Sequence, residues 1–295
     1  MYAGILQQAD KHSISELCGV YGVSRSGYYK WMRDGALNGY ERTQQRVDAC
    51  VADIHVHYPM MGYRRIRDTL ELQFGWKLSD PTIWRSMKRL RVHDYTRKRK
   101  LPTSYTGMQY TRYANILSRN FKADKPLQKI VTGVTYIKYR GKWFYLAAYL
   151  DFFNNEIVEW NLSDTFDNFL VMRPAERLLK KTESTEHPIL LHSDQGVQYS
   201  SAGYCNLLSQ YNAIQSMSRA GNPYDNAVIE SFWGRFKDSL RHQFRFWERD
   251  DLYGVAAECI HYFNFIRPLR KLYGKPPVLF RLYLVPNASS LSTNY

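Results

Sequence analysis

Cysteine is scarce in this chain and scattered. Cys18, Cys50, Cys205 and Cys259 form no CxxC pair. Neither a zinc site nor a disulfide framework is expected, and a reducing cytoplasm fits. No run of about 18 apolar residues exists, so no membrane span is expected. The opening MYAGILQQADKHS lacks the basic start and long apolar stretch of a signal peptide. Acids are in deficit: 27 Asp and Glu stand against 41 Lys and Arg, a net charge of +14. Hydrophobic residues still make up 44% of the 295, enough to bury a core, so composition excludes a disordered chain.

The charge is unevenly placed. Residues 1–120 carry 20 Lys and Arg against 10 acids, and residues 121–295 carry 21 against 17. A net of +10 beside a net of +4 points to a polyanion-binding front half joined to a separate core domain. The front half reads as two helical units, over 1–38 and 39–100. In the first, SISELCGVYGVSRSGYYKWMRDG places Leu17, Val20 and Val23 on one side, with Gly19 and Gly22 at a tight turn. Ser24 is an N-cap candidate for a second helix. This is a helix-turn-helix pattern, in which the start of the second helix meets base edges and phosphates. Ser24, Arg25, Ser26 and Tyr28 are therefore the contact candidates; an ordinary helical hairpin has the same outline.

In the second unit, MGYRRIRDTLELQF spaces Ile66, Leu70 and Phe74 along one helix face, and Gly75 ends it. SDPTIWRSMKRLRV then predicts a helix with Asp80 as N-cap, Pro81 at the first position, and Trp84, Met87 and Leu90 or Arg91 continuing it. Eight of the sixteen residues from Arg85 to Lys100 are basic. That stretch reads as a phosphate-binding arm, with a solvated basic face as the plainer alternative. Its candidates are Arg85, Lys88, Arg89, Arg97, Lys98, Arg99 and Lys100, with Arg64 and Arg65 from the preceding helix.

Residues 101–125 read as a linker and 126–284 as an α/β domain, with a tail over 285–295. KIVTGVTYIKY, GKWFYLAAYLDFF and NEIVEWNLS are three strands joined by short turns, hence an antiparallel meander. Helices and strands then alternate. PILLHSD is a buried strand, and YDNAVIESFWGRFKDSLRH is a long helix with Val228, Phe232, Phe236 and Leu240 along one face. Two acids stand out. Asp194 follows the buried strand, in a loop with Gly196. Glu230 lies on the long helix, one residue off its apolar line. A strand-end carboxylate and a helix carboxylate can converge on Mg²⁺, which takes hard oxygen ligands. Turn and surface acids occupy such places too, and spacing alone leaves both readings open.

LLHSDQGVQYSS and SMSRAGNPYDNAVIESFWGRFKDSL closely resemble the catalytic core of insertion-sequence transposases of the OrfB type. FNFIRP resembles that family's closing segment. LCGVYGVSRSGYYKW and YPMMGYRRIRDTL resemble its N-terminal helical units. The resemblance spans nearly the whole chain. It implies a ribonuclease-H-like, retroviral-integrase-like core with a mixed sheet, preceded by helix-turn-helix DNA-binding units. It implies an acidic set that holds two Mg²⁺ or Mn²⁺ ions, with Asp194 second and Glu230 third, and Lys237 as a DNA-facing residue. It implies double-stranded DNA as partner, both element ends and target. Oligomers on DNA, an upstream reading-frame product as a further partner, and a cytoplasmic, nucleoid-associated bacterial protein follow as expectations.

The first acid of the set is absent. The family pattern is W-x-T-D-x-T-Y; here Ile130 replaces the Trp and Gly133 occupies the aspartate's position. The nearest acids are Asp124 before the strand and Asp151 at the end of the next. In a two-metal site the ions sit about 3.5–4 Å apart and clamp the attacking and leaving oxygens. A glycine offers no side-chain oxygen to bridge them. The expected function is Mg²⁺-dependent strand cleavage and transfer, impaired in this copy. The alternative is a non-catalytic DNA-binding relic or an inhibitor of active copies. A nuclease on the same scaffold is a weaker third reading, since the N-terminal units resemble end-binding modules.

Overall fold

Among the described residues, six helices precede the first strand: α1 (Tyr2–Gln8), α2 (Ile14–Val20), α3 (Arg25–Arg33), α4 (Gly39–His57), α5 (Tyr63–Phe74) and α6 (Asp80–Leu90). The computed structural model describes residues 1–35, 39–93, 113–183, 185, 187–211, 213–219 and 222–284. Arg97, Lys98, Arg99 and Lys100, much of the expected linker and the tail over 285–295 lie outside the described residues. The chain forms two units: 1–58 with 77–93, and 59–76 with 94–295. The segment 39–100 is thus divided, with α4 and α6 in the first unit and α5 in the second.

In the first unit, Ser13 and Glu16 close a capping box at the start of α2, and Ser24 caps α3 by accepting from the Gly27 N–H at 3.0 Å. Gly22 makes the intervening turn at φ 64°. The core under this turn is Ile5, Leu17, Cys18, Tyr28 and Trp31, with Ile14 and Tyr21 packed against it. Positions 14, 17, 18 and 21 form one helical stripe. Leu17 and Val23 of the expected line do meet this core, while Val20 lies off the stripe and is exposed, so the line is corrected at Val20. Elsewhere in the unit, the Asp48 carboxylate of α4 accepts from Ser86 Oγ at 2.5 Å and from Arg89 Nη2 and Nε of α6 at 2.6 and 2.9 Å. The cap of α6 is Ser79, not Asp80. Its buried side is Ile83, Ser86 and Met87, which leaves the expected core residue Trp84 exposed.

The second unit holds α5 and a five-stranded sheet. Ile66 and Leu70 bury as expected; Phe74 is exposed, because Gly75 (φ 69°) ends the helix there. The strands are β1 (Lys129–Tyr139), β2 (Lys142–Asp151), β3 (Ile157–Ser163), β4 (Leu190–Ser193) and β5 (Ile214–Met217). Their spatial order is β3-β2-β1-β4-β5. The first three are antiparallel, while β4 and β5 run parallel to β1. The connecting helices are α7 (Phe169–Thr182) and α8 (Ala202–Gln210); α9 (Ala227–His242), α10 (Leu252–His261) and α11 (Pro277–Leu284) follow β5. This mixed sheet, an antiparallel meander extended by parallel strands, is the ribonuclease-H-like integrase arrangement.

Alternation along β1 sorts its residues between two faces. Ile130 and Val134 face a core built with Leu170, Leu178, Tyr204 and Leu208 of α7 and α8. Gly133 faces the other way, toward α9. The buried side of α9 is Ile229, Phe232, Trp233, Phe236 and Leu240, while Val228 is only half-buried. The expected line through Val228 is corrected: the stripe that meets the sheet starts at Ile229. Burial thus selects a different residue of the same periodic pattern.

Candidate active site

The site is built where β1, β4 and α9 come together. β4 pairs with β1 through Lys129–Leu190, Ile130–Leu191 and Val131–His192, and Asp194 leaves its end. The loop after it is fixed from several sides. The Gly196 N–H donates to Asp194 Oδ1 at 3.0 Å, and Gln195 Nε2 donates to the Ser218 carbonyl at 3.0 Å. Ser218 in turn donates through its N–H and its hydroxyl to the Ser193 carbonyl. Buried Tyr199 shares a 3.0 Å hydrogen bond with Thr132 on β1. Solvent reaches Asp194, yet protein surrounds much of its carboxylate. That desolvation raises its pKa above the ordinary value, and the Gly196 N–H opposes the rise only in part.

Glu230 stands in the first turn of α9 and is exposed. A helix N-terminus favours a carboxylate's charged form. Here two opposing effects win: desolvation first, then the charge of Asp194, together raise the Glu230 pKa. The two acids are therefore electrostatically coupled. Among the described residues neither makes an ion pair. Two coupled carboxylates without a counter-charge form a donor set suited to a hard divalent cation.

Gly133 lies opposite Ala148 in the β1–β2 register. A Cβ there would meet Ile229 Cγ1 and Cγ2 and Trp233 Nε1, each at 3.4 Å, which is ordinary contact. The absent side chain thus points at the turn of α9 that carries Glu230. No group of three or more His, Cys, Asp or Glu suited to a metal occurs among the described residues. The residues fit two ligands of a carboxylate site and lack a third. Asp151 does not replace it. It shares a face with Tyr149 and Ile130, opposite to Gly133, and accepts from the Leu127 and Phe153 N–H groups at 2.8 and 2.9 Å. Burial, reinforced by Glu156, pushes its pKa up to about 7.

Lys237 is further along α9, with Nζ 5.2 Å from the ring centroid of exposed Tyr136 on β1. Of the other sequence candidates, Arg25 and Ser26 are exposed at the start of α3. Ser24 is exposed too, with its hydroxyl engaged in the cap. Tyr28 is corrected: it is 3% exposed and packs on Tyr2, Tyr29 and Trp31, because it lies on the stripe of α3 that closes the small core. Tyr29 beside it is exposed. Arg64, Arg85 and Lys88 are exposed, with Lys88 over the Trp84 ring at 5.4 Å. Arg65 is half-buried, and Arg89 braces α6 to α4 through Asp48.

Sequence reasoning missed Asp225. It is 1% exposed in the turn before α9, and Asn115, Arg119 and Arg219 all donate to its carboxylate. The two guanidiniums, Arg219 foremost, hold its pKa well below the usual carboxylate range against the opposing cost of burial. Beside it, His192 is buried and neutral: desolvation lowers its pKa to about 4. Ser216 Oγ accepts from the Ile116 and Leu117 N–H groups and sits 2.9 Å from His192 Nδ1. The one signal for Asp225 was its position just ahead of a helix, in a segment read only for Glu230.

Comparison with known proteins gives the family. An Integrase core domain family matches residues 123–223, and a second Integrase core domain family matches 212–277. The InsK protein of insertion sequence element IS150 from Escherichia coli (strain K12) is 32% identical, over 92% of this chain and 94% of its own length. Transposase InsF for insertion sequence IS3A, from the same strain, is 28% identical over 84% and 86%. Among solved structures, the HTLV-2 integrase catalytic core domain in complex with magnesium is 15% identical. It covers 53% of this chain and 97% of its own, with a TM-score of 0.43. On the sequence matches, the chain belongs to the insertion-sequence transposases with an integrase core.

Proposed function

We propose that this transposase binds duplex DNA, both the ends of its element and the target. Its scaffold is that of an enzyme for divalent-metal-dependent strand cleavage and transfer, and in this copy the chemical step is impaired. One observation carries the impairment: Gly133 faces the Glu230 turn of α9 with no oxygen to offer. Asp194 and Glu230 are the ligands for Mg²⁺ or Mn²⁺. When bound, such ions polarise the phosphate and stabilise the attacking and departing oxygens. The protein's part is to hold Asp194 through the Gly196 N–H and the Ser218 anchor, and to set Glu230 on a helix locked to the sheet.

DNA contact rests on the net +10 of residues 1–120 and on exposed Arg25, Ser26, Arg64, Arg85 and Lys88. Arg97, Lys98, Arg99 and Lys100 extend that basic run, and Lys237 adds a contact beside the site. Affinity should fall steeply with salt as condensed counterions cease to gain entropy on release. Binding indifferent to salt would remove this interface. Assembly of several copies on DNA, and with an upstream reading-frame product, belongs to the same proposal. A second reading, a DNA-binding protein that inhibits active copies by co-assembly, is favoured by the same glycine.

Strand-transfer assays on duplex oligonucleotides bearing the element's own termini test the proposal. The natural chain, Gly133→Asp and Asp194→Asn are compared with Mg²⁺ or Mn²⁺. The natural chain should be nearly inert and Gly133→Asp active. Equal rates for those two would refute the three-carboxylate account. Inertness of both, persisting after the upstream product is added, would favour the inhibitor reading.

A further inference from the structure

Away from the acidic pair, a cavity of about 130 Å³ opens among α5, α9 and the segment after α10. Arg65, Arg235 and Arg267 line it, together with Asp238, Ser239 and Tyr262. Arg267 follows the π-helical turn Tyr262–Ile266, and its N–H donates to the Tyr262 carbonyl at 2.8 Å. Its side chain is 8% exposed, lies 5.2 Å from the Phe263 ring centroid, and makes no ion pair among the described residues. A guanidinium keeps its charge in proteins. A buried charge without a partner is costly, and an anion beside it would offset that cost. Burial lowers the Arg267 pKa to about 9, and the neighbouring charges of Arg65 and Arg235 push the same way. The lining therefore sets three guanidiniums against one carboxylate, Asp238.

We propose that Arg65, Arg235 and Arg267 form a binding pocket for a single phosphate group. An oxyanion between them would relieve the mutual repulsion. The guanidinium fork suits phosphate oxygens, and the cavity volume suits one tetrahedral group. With the DNA reading above, on which this source rests, the occupant is a backbone phosphodiester. Arg235 is five residues past Glu230 on α9, about 140° around the helix axis at 3.6 residues per turn. The phosphate held here is therefore a positioning contact and not the one that reacts.

The test uses the full chain. Tm is followed with inorganic phosphate and with chloride at matched ionic strength. Phosphate should raise the Tm of the natural chain in a saturable way, and Arg267→Gln and Arg65→Gln should abolish the rise. Arg65 is half-buried, so its variant keeps the test readable if Arg267→Gln fails to fold. Duplex binding by fluorescence anisotropy forms the second arm. There Arg65→Gln should weaken binding about tenfold at low salt and reduce the salt slope by about one. No phosphate-specific Tm rise in the natural chain would overturn the pocket. A rise with unchanged duplex affinity in Arg65→Gln would support the pocket and assign it to free phosphate. If the natural chain binds no duplex at all, the DNA reading fails while the phosphate arm still decides the pocket.

Discussion

Asp225 and Glu230 are five residues apart on one stretch of chain and sit in opposite electrostatic worlds. Asp225 is buried and saturated with donors from Asn115, Arg119 and Arg219, and its pKa is held down. Glu230 is exposed, is coupled to Asp194 and has its pKa raised. The difference separates two uses of a carboxylate. Asp225 ties the segment before the sheet to the turn that launches α9, so its charge serves the fold. Asp194 and Glu230 raise each other's cost of ionisation with no ion pair among the described residues, so their charge works against the fold, and the proposed metal is what would offset it.

The sharpest break of this contrast is at Gly133. Restoring an acid there should raise strand transfer by several orders of magnitude, measured as product formed per unit time, because it completes the uncompensated side only. Next comes Asp225→Asn. It removes one charge from a hub whose two guanidiniums are about half exposed, so unfolding in urea should show a loss on the order of 1–2 kcal/mol. Because the Asp225 pKa is depressed on folding, its contribution is fully present above the ordinary value near 4. It is lost as pH falls below that, and the variant should remove this acid-side loss.

Gly133→Ala separates backbone from chemistry. The site has a strand conformation and room for a Cβ at 3.4 Å. Alanine should therefore raise stability by about 0.5–1 kcal/mol in denaturant melts and leave strand transfer as low as before. A gain of activity in Gly133→Ala would show that strand rigidity, not a missing ligand, limits the natural chain. Asp194→Asn should have the smallest effect on folding. The amide oxygen can keep the Gly196 hydrogen bond, and relief from an unfavourable charge at an exposed site is worth a few tenths of a kcal/mol. The sign is a gain at neutral pH, since a carboxylate whose pKa rises on folding opposes folding once ionised. For the same reason, Mn²⁺ binding to Gly133→Asp should weaken on acidification at a higher pH than an ordinary carboxylate pair would show, as calorimetric titration at stepped pH would reveal.

Periodicity told strands from helices throughout the core, because each element buries one face against the sheet. The meander, the buried strand before Asp194 and the helix of Glu230 were all legible; that this strand runs parallel to β1 was not. What periodicity could not settle was which of two neighbouring apolar residues, one or two positions apart, turns inward. Val20 and Cys18, Trp84 and Ile83, and Val228 and Ile229 were each decided by the neighbouring element, which no local pattern encodes. The same limit made Tyr28 look like a contact residue when it closes a core. Asp225 was opaque for a different reason: its partners lie as far as 110 residues away in sequence. The pairing of Asp194 with Glu230 was legible only through resemblance to a family, since spacing left turn and surface roles open.

One side chain near the C-terminal end carries a consequence for how the protein is made. Strand β3 is an edge of the sheet. At its first residue, Ile157, the amide of Asn264 imitates a neighbouring strand, accepting from the N–H and donating to the carbonyl, each at 2.9 Å. An unpaired edge invites pairing with another chain. The residue that blocks this one is separated from Ile157 by 107 positions. At bacterial and eukaryotic synthesis rates, translation needs roughly 5–20 s to cover that distance. During that interval Ile157 lacks this partner. A truncation before Asn264 would leave the Ile157 end of that edge without this partner and should raise the protein's tendency to aggregate.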